Sequence, residues 1–144
     1  MSRTALPPVP SLSVVALSVA ALFQPATAAD YVWQGGDGAW LDASRWTLLG
    51  VPGAGDTATI NGTGSGAVQL NDTRSLDRLT MNGGRLGGNG TLNTGSLVFN
   101  SGRLGATSFG TGGTVNVAGS ATFDGAGVQG VALSQQLNLY GNST

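Results

Sequence analysis

Cysteine, histidine, lysine and glutamate are all missing from this chain of 144 residues. Without cysteine and histidine it lacks the soft metal ligands and the side chain that titrates near neutrality. It must also be held together by something other than disulfides. Without lysine and glutamate it lacks two of the better helix formers. Charge is carried by six arginines and seven aspartates, a formal net charge of −1, which offers no basic footprint for nucleic acid. A nucleophilic triad or dyad needs a base, and here only aspartate could serve. No catalytic constellation, cofactor motif or metal-ligand set emerges, so the sequence speaks for architecture more than for activity.

The N-terminal segment 1–29 reads as a secretory signal peptide. Arg3 precedes an apolar run over residues 12–23, and Ala26-Thr27-Ala28-Ala29 supplies small residues for cleavage after Ala28 or Ala29. A membrane-spanning helix needs roughly 20 apolar residues. This run is well short of that, with Pro25 close behind, which favours a cleaved leader over a retained anchor. The mature chain, residues 30–144, then holds five arginines against seven aspartates, a net charge of −2. It divides into a Trp/Gly-rich cap with a first coil over residues 30–69 and a repeat region over residues 70–144.

Glycine contributes 25 residues, and Gly/Ser-rich polar tracts are often disordered linkers. Regularly spaced Leu, Val and Phe argue against disorder here. "LTMNGGRLGG" (residues 79–88) and "LVFNSGRLGA" (residues 97–106) match at six of ten positions. "ATFDGAGVQG" (residues 121–130) is a degenerate third copy, and "LNLYGN" (residues 137–142) begins a fourth, at uneven intervals that suit coils of varying length. Apolar residues alternate in pairs: Leu79/Met81, Leu97/Phe99, Val115/Val117, Val131/Leu133 and Leu137/Leu139. A period of two places both members of a pair on one face of a strand. Each strand is expected to be short and to end in Gly or Asn, residues suited to positive φ in tight turns.

One such repeat cannot bury its own apolar face and must stack on the next copy. The expected fold is therefore all-β, a parallel, right-handed β-helix or β-solenoid, with helix expected only in the signal peptide. An antiparallel sandwich or meander is the competing arrangement for short strands with Gly turns, but it does not call for near-identical decapeptides at coil-like spacing. In the stacked register Asn82 lies on Asn100, Met81 on Phe99 and Arg85 on Arg103, with the Cα atoms of residues 82 and 100 about 5 Å apart. The asparagines would form a ladder. The two arginines, like charges on neighbouring strands, would have to face solvent.

"VWQGGDGAWLDASRWTLLGVPGAGDTATI" (residues 32–60) concentrates Trp33, Trp40 and Trp46 just after the leader. A stack of coils has open ends that expose apolar core and unpaired strand edges. Three large rings placed there read as a lid. The other reading is an aromatic platform for a sugar; packing is preferred because large aromatics are mostly buried. The pattern W-x-G-G-x-G-x-W-x-x-x-x-x-W followed by V-P-G-x-G-D-x-A-x-I resembles the start of exported bacterial proteins of the autotransporter and haemagglutinin-like adhesin type. "LTMNGGRLGGNGTL" and "LVFNSGRLG" resemble their passenger β-helix repeats. The resemblance spans residues 31–144. It implies a passenger exposed at the cell surface or outer membrane, or released outside the cell, which meets surface glycans or a host surface. It also implies attachment to the membrane only through a C-terminal translocator barrel. That barrel is missing here and the chain ends within a repeat, so a truncated product or fragment is expected, periplasmic if the barrel is truly absent.

The chemical alternatives are few. β-Helix enzymes acting on polysaccharides use clustered aspartates, so an N-terminal piece of a carbohydrate-active enzyme is the rival reading, with Asp72 and Asp77 the nearest pair. These two are expected instead in solvated turns beside Arg74 and Arg78. "GGDGAWLDA" (residues 35–43) has the glycines of a calcium-binding nonapeptide but carries Trp40 where an aspartate belongs and occurs once. Asn61, Asn71, Asn89 and Asn142 head formal glycosylation sequons, expected by chance in so Asn/Thr-rich a chain. Thr57-Ala-Thr59 is a lone Thr-x-Thr, short of the repeated row of an ice-binding face. Arg85 and Arg103 remain the candidate ligand contacts, for an anion or an acidic sugar.

Overall fold

The computed structural model describes Met1 and residues 27–62, 66–105, 113–131 and 136–142, with no side-chain description for residues 125–131. Residues 2–26 of the expected leader, and Leu133 of the expected apolar pairs, lie outside the described residues. Strands dominate: β1 (Asp30–Trp33), β2 (Gly38–Ala39), β3 (Thr57–Ile60), β4 (Ala67–Gln69), β5 (Thr73–Gly87), β6 (Thr91–Leu104), β7 (Thr114–Val117), β8 (Ala121–Val131) and β9 (Gln136–Leu139). A 3-10 turn over Ala43–Arg45 departs from the expectation of no helix beyond the leader. It forms because the Asp42 carboxylate accepts from the Ser44 main-chain N–H and hydroxyl at its start. Among the described residues no helix is long and apolar enough to cross a membrane.

Every strand–strand pairing among these nine strands is parallel. This rules out the antiparallel sandwich or meander for the described residues. One row runs from Ala58 through Leu79 and Leu97 to Ala121, and beside it Ile60 pairs with Met81, Met81 with Phe99 and Phe99 with Phe123. A second joins Val68 to Leu86 and Leu86 to Leu104. A third joins Leu92, Val115 and Leu137. Leu79, Met81, Leu86, Leu92, Leu97, Phe99, Leu104 and Val115 are all buried, so the period-two alternation does mark the inward face. Each fully buried aliphatic or aromatic side chain stabilises by roughly 1.5–3 kcal/mol.

Two expectations about the strands need correction. β5 and β6 are not short: they span 15 and 14 residues. Gly83, Gly84 and Gly102 take positive φ inside them, where the β5–β6 register shifts, and the parallel pairing resumes beyond them at Arg85 and Arg103. A Cβ on Gly102 would meet the Gly84 carbonyl oxygen at 2.8 Å, so the backbones touch at this bend. The segment starting at Leu137 is also not a fourth copy of the decapeptide. Leu137 pairs with Val115, and the equivalents of "LNLYGN" are "VNVAGS" and "LNTGS". The steps from Leu92 to Val115 and from Val115 to Leu137 are nearly equal, in place of the uneven interval expected from similarity alone.

The three tryptophans are core, at 3%, 0% and 1% exposure for Trp33, Trp40 and Trp46. That burial excludes the sugar platform. Trp46 packs edge-on against Trp33 and Trp40 at ring-centroid separations of 5.0 and 4.9 Å, the arrangement the ring quadrupoles favour. Its indole N–H donates to the Trp40 carbonyl at 2.8 Å. The same segment covers the outer edge of β1. Trp33 and Trp46 form an antiparallel bridge, Gln34 N–H donates to Arg45 O at 2.8 Å, and Thr47 N–H donates to Val32 O at 3.1 Å. The first strand thus has partners on both sides, which removes an exposed edge.

Candidate functional site

Two rows of asparagine run across the parallel strands on their outward faces. In the first, the Asn100 amide donates to Asn82 Oδ1 at 2.7 Å and the Asn82 amide to Asn61 Oδ1 at 2.8 Å. Asn82 and Asn100 stack as expected, with one adjustment: the main-chain register partner of Asn82 is Ser101, because the pairing shifts between Met81 and Asn82. The second row was not foreseen. Asn138 donates to Asn116 Oδ1, and Asn116 to Asn93 Oδ1, each at 2.8 Å. A carboxamide has two N–H donors and two lone pairs on oxygen, so Asn116 keeps one N–H and one lone pair beyond its ladder bonds.

Beside this second row lies an open groove of ≈ 370 Å³, lined by Ser75, Leu76, Asn93, Thr94, Gly95, Asn116, Ala118 and Tyr140. Small residues at 95 and 118 leave the space, Tyr140 stands 71% exposed at its edge, and none of the lining side chains is charged. Thr94 is buried and its hydroxyl is committed to the Ser96 carbonyl at 2.9 Å, so the polar groups on offer are the Ser75 hydroxyl, the two amides and the Tyr140 phenol. Paired donors and acceptors beside a flat ring suit the hydroxyls and apolar face of a neutral sugar. The volume falls at the small end of ligand pockets, roughly 300–1,000 Å³.

Arg85 and Arg103 are register partners on β5 and β6, as expected, and both are half-buried rather than fully solvent-facing. They do not belong to the groove. Asp72 and Asp77 are not brought together as a carboxylate pair by any shared contact. Asp72 takes Arg74 on one oxygen, from Nε at 2.8 Å and Nη2 at 2.6 Å, and its other oxygen is buried without a partner. Asp77 is exposed on β5 itself rather than in a turn, and its main-chain N–H donates to Asp56 O at 2.8 Å.

The calcium-like stretch resolves into turn chemistry. Asp37 accepts the Ala67 N–H at 2.8 Å, and Asp42 caps the 3-10 turn. The Ser44 hydroxyl holds the Asp42 carboxyl below its ordinary value against the opposing effect of desolvation, with the Ser44 N–H and the Arg45 charge adding to the lowering. Among the described residues no three acidic side chains gather where they could hold a metal ion. The recurring Asn after an apolar residue, at positions 93, 116 and 138, was the available signal for the second ladder.

Comparison with protein-family models, with curated proteins and with solved structures found no match to this chain.

Proposed function

We propose that this chain is an exported structural and adhesive passenger segment of an autotransporter-like surface protein, wound as a right-handed β-helix and performing no catalysis. The observation that carries the reading is the pairing of β5, which meets β3 over Arg78–Met81, β4 over Arg85–Gly87 and β6 from Thr73 to Leu86, always in parallel. A strand that bends and still pairs in parallel with the next repeat is what a winding chain requires, and parallel crossovers are right-handed in nearly all proteins. The apolar rows inside, the asparagine ladders outside and the tryptophan cover on β1 are the further supports. The Trp/Gly opening motif favours the autotransporter and adhesin type over other β-helices.

The groove beside Asn93 and Asn116 favours a second, compatible reading, that of a carbohydrate-binding module. Its uncharged amides, hydroxyls and phenol match a neutral glycan better than an acidic one, which moves the candidate contact away from Arg85 and Arg103. The test is retention of the purified full chain on mucin-coated and glycolipid-coated surfaces, with Tyr140→Ala as comparison. The adhesive reading expects retention by the parent. Retention that Tyr140→Ala reduces several-fold supports the groove, equal retention by both moves the contact elsewhere, and absence of retention on either surface rejects adhesion.

A further inference from the structure

We propose that export processing cuts between Ala28 and Ala29, and that the α-ammonium group so made is a working part of the fold, seated on the carboxylate of Asp56. The proposal rests on the export reading and goes beyond it by choosing one of two possible cleavage points and giving the new terminus a structural role.

Ala29 is engaged through both of its main-chain groups. Its N atom lies 3.0 Å from Asp56 Oδ1, and its carbonyl accepts the Thr57 N–H at 2.9 Å. One residue on, Asp30 is already the register partner of Thr57 and accepts that threonine's hydroxyl proton. The ladder between β1 and β3 therefore begins at Ala29. Thr27 and Ala28 before it are exposed.

The carboxylate is held in place before any terminus arrives. Asp56 Oδ2 accepts the Gly53 N–H at 2.8 Å, the Asp56 N–H donates to Gly53 O at 3.0 Å, and the Asp56 carbonyl accepts the Asp77 N–H at 2.8 Å. Oδ1 is the oxygen left to face Ala29.

Hydrolysis by a signal-peptidase-type protease adds water across the Ala28–Ala29 peptide bond. Ala28 leaves with the new carboxylate, and the Ala29 nitrogen keeps its place and takes up a proton. Ala26 and Ala28 then occupy the small-residue positions of an Ala-x-Ala site. The contact on Asp56 changes from a neutral amide donor to an ammonium, a charge-assisted hydrogen bond and an ion pair in one. Cleavage one residue later would remove both the donor to Asp56 and the acceptor of the Thr57 N–H.

The absence of lysine makes this testable, since the α-amine is then the only primary amine in a processed chain. The 144-residue chain is expressed with export, and the recovered protein is sequenced from its N-terminus. It is then acetylated with an N-hydroxysuccinimidyl acetate ester, folded and in denaturant. The expected outcome is a chain beginning at Ala29 whose acetylation is slower in the folded protein by at least about tenfold, the scale of a charge-assisted hydrogen bond. Asp56→Asn should keep the same terminus and lose the protection. A chain beginning at Asp30, or one beginning at Ala29 that reacts equally fast folded and unfolded, overturns the proposal while leaving export intact. A chain beginning at Met1 overturns both. The parent's own folded-to-unfolded ratio decides the matter even if the Asp56 variant does not fold.

Discussion

The side-chain amide of Asn100 donates to the carboxamide oxygen of Asn82 at 2.7 Å, across 18 residues of chain. Asn82 passes the pattern on to Asn61, 21 residues earlier. Such a row needs neighbouring strands that hold their asparagines side by side, so it reports on the architecture as well as contributing to it.

The two ladders should differ in worth. Asn82→Ala removes two solvent-exposed hydrogen bonds and should cost about 1 kcal/mol or less, the lower end for a hydrogen bond open to water. Asn116→Ala breaks two partly buried ones and should cost about 1–3 kcal/mol. Urea unfolding of both variants checks the order.

Replacing Asn116 by Asp makes the ladder pH-sensitive. An ionised carboxylate cannot donate to Asn93 Oδ1, whereas a protonated carboxyl can. The folded state therefore favours the protonated form, and its pKa rises above the ordinary aspartate value of about 3.9. A raised folded pKa contributes stability below the unfolded value and loses it as pH rises through the folded one. Asn116→Asp should match the parent most closely in acid and fall behind it towards neutrality, with both proteins measured at each pH.

Asp42 offers a titration that needs no unfolding. Its carboxyl should titrate below the ordinary aspartate value, chiefly because the Ser44 hydroxyl donates to it. Ser44→Ala should move that titration upward, as followed by the side-chain carbonyl carbon in NMR. A folded pKa that is depressed contributes stability above the unfolded value and loses it as pH falls through the folded one, so this contribution fades only in acid.

Trp40→Ala should cost roughly 3–5 kcal/mol, as for other buried aromatics, because the Trp40 ring is fully buried and packs edge-on against Trp46. The parent should emit at short wavelength, and the variant should unfold at markedly lower urea concentration.

Two glycines with similar backbone angles separate strain from crowding. Gly55 has φ +88° and open space where a Cβ would sit; Gly88 has φ +113° and would drive a Cβ into the Leu70 carbonyl oxygen. Gly55→Ala should cost about 1–2 kcal/mol, the penalty for a left-handed L-residue. Gly88→Ala should cost clearly more, since main chain must move, and thermal unfolding of the pair tests the difference.

Much of this was legible in the sequence. Alternation at Leu79/Met81, Leu97/Phe99 and Val115/Val117 marked the buried face because a strand repeats every two residues whatever surrounds it. The decapeptide repeat identified the Met81/Phe99 and Arg85/Arg103 partners. The register of Leu137 is not legible because similarity between short apolar-polar runs cannot tell which row of parallel strands they join. The Asn93, Asn116 and Asn138 row went unseen for the same reason. The sequence makes the long strands look short, since Gly83, Gly84 and Gly102 mark a turn in isolation, whereas the parallel pairing shifts register there and resumes beyond them. The groove at Tyr140 left no signature, because it depends on small residues at 95 and 118 falling beside an exposed ring.

The most direct test of the account is an NMR measurement of cross-relaxation between side-chain amide protons and between Hα protons of neighbouring strands. Parallel stacking predicts cross-peaks linking Asn61 to Asn82, Asn82 to Asn100, Asn93 to Asn116 and Asn116 to Asn138, without the strong Hα–Hα contacts that closely opposed residues of antiparallel strands give. Strong Hα–Hα contacts between residues 79–86 and 97–104, with no amide cross-peaks along either asparagine row, would contradict the parallel register and the β-helical passenger built on it.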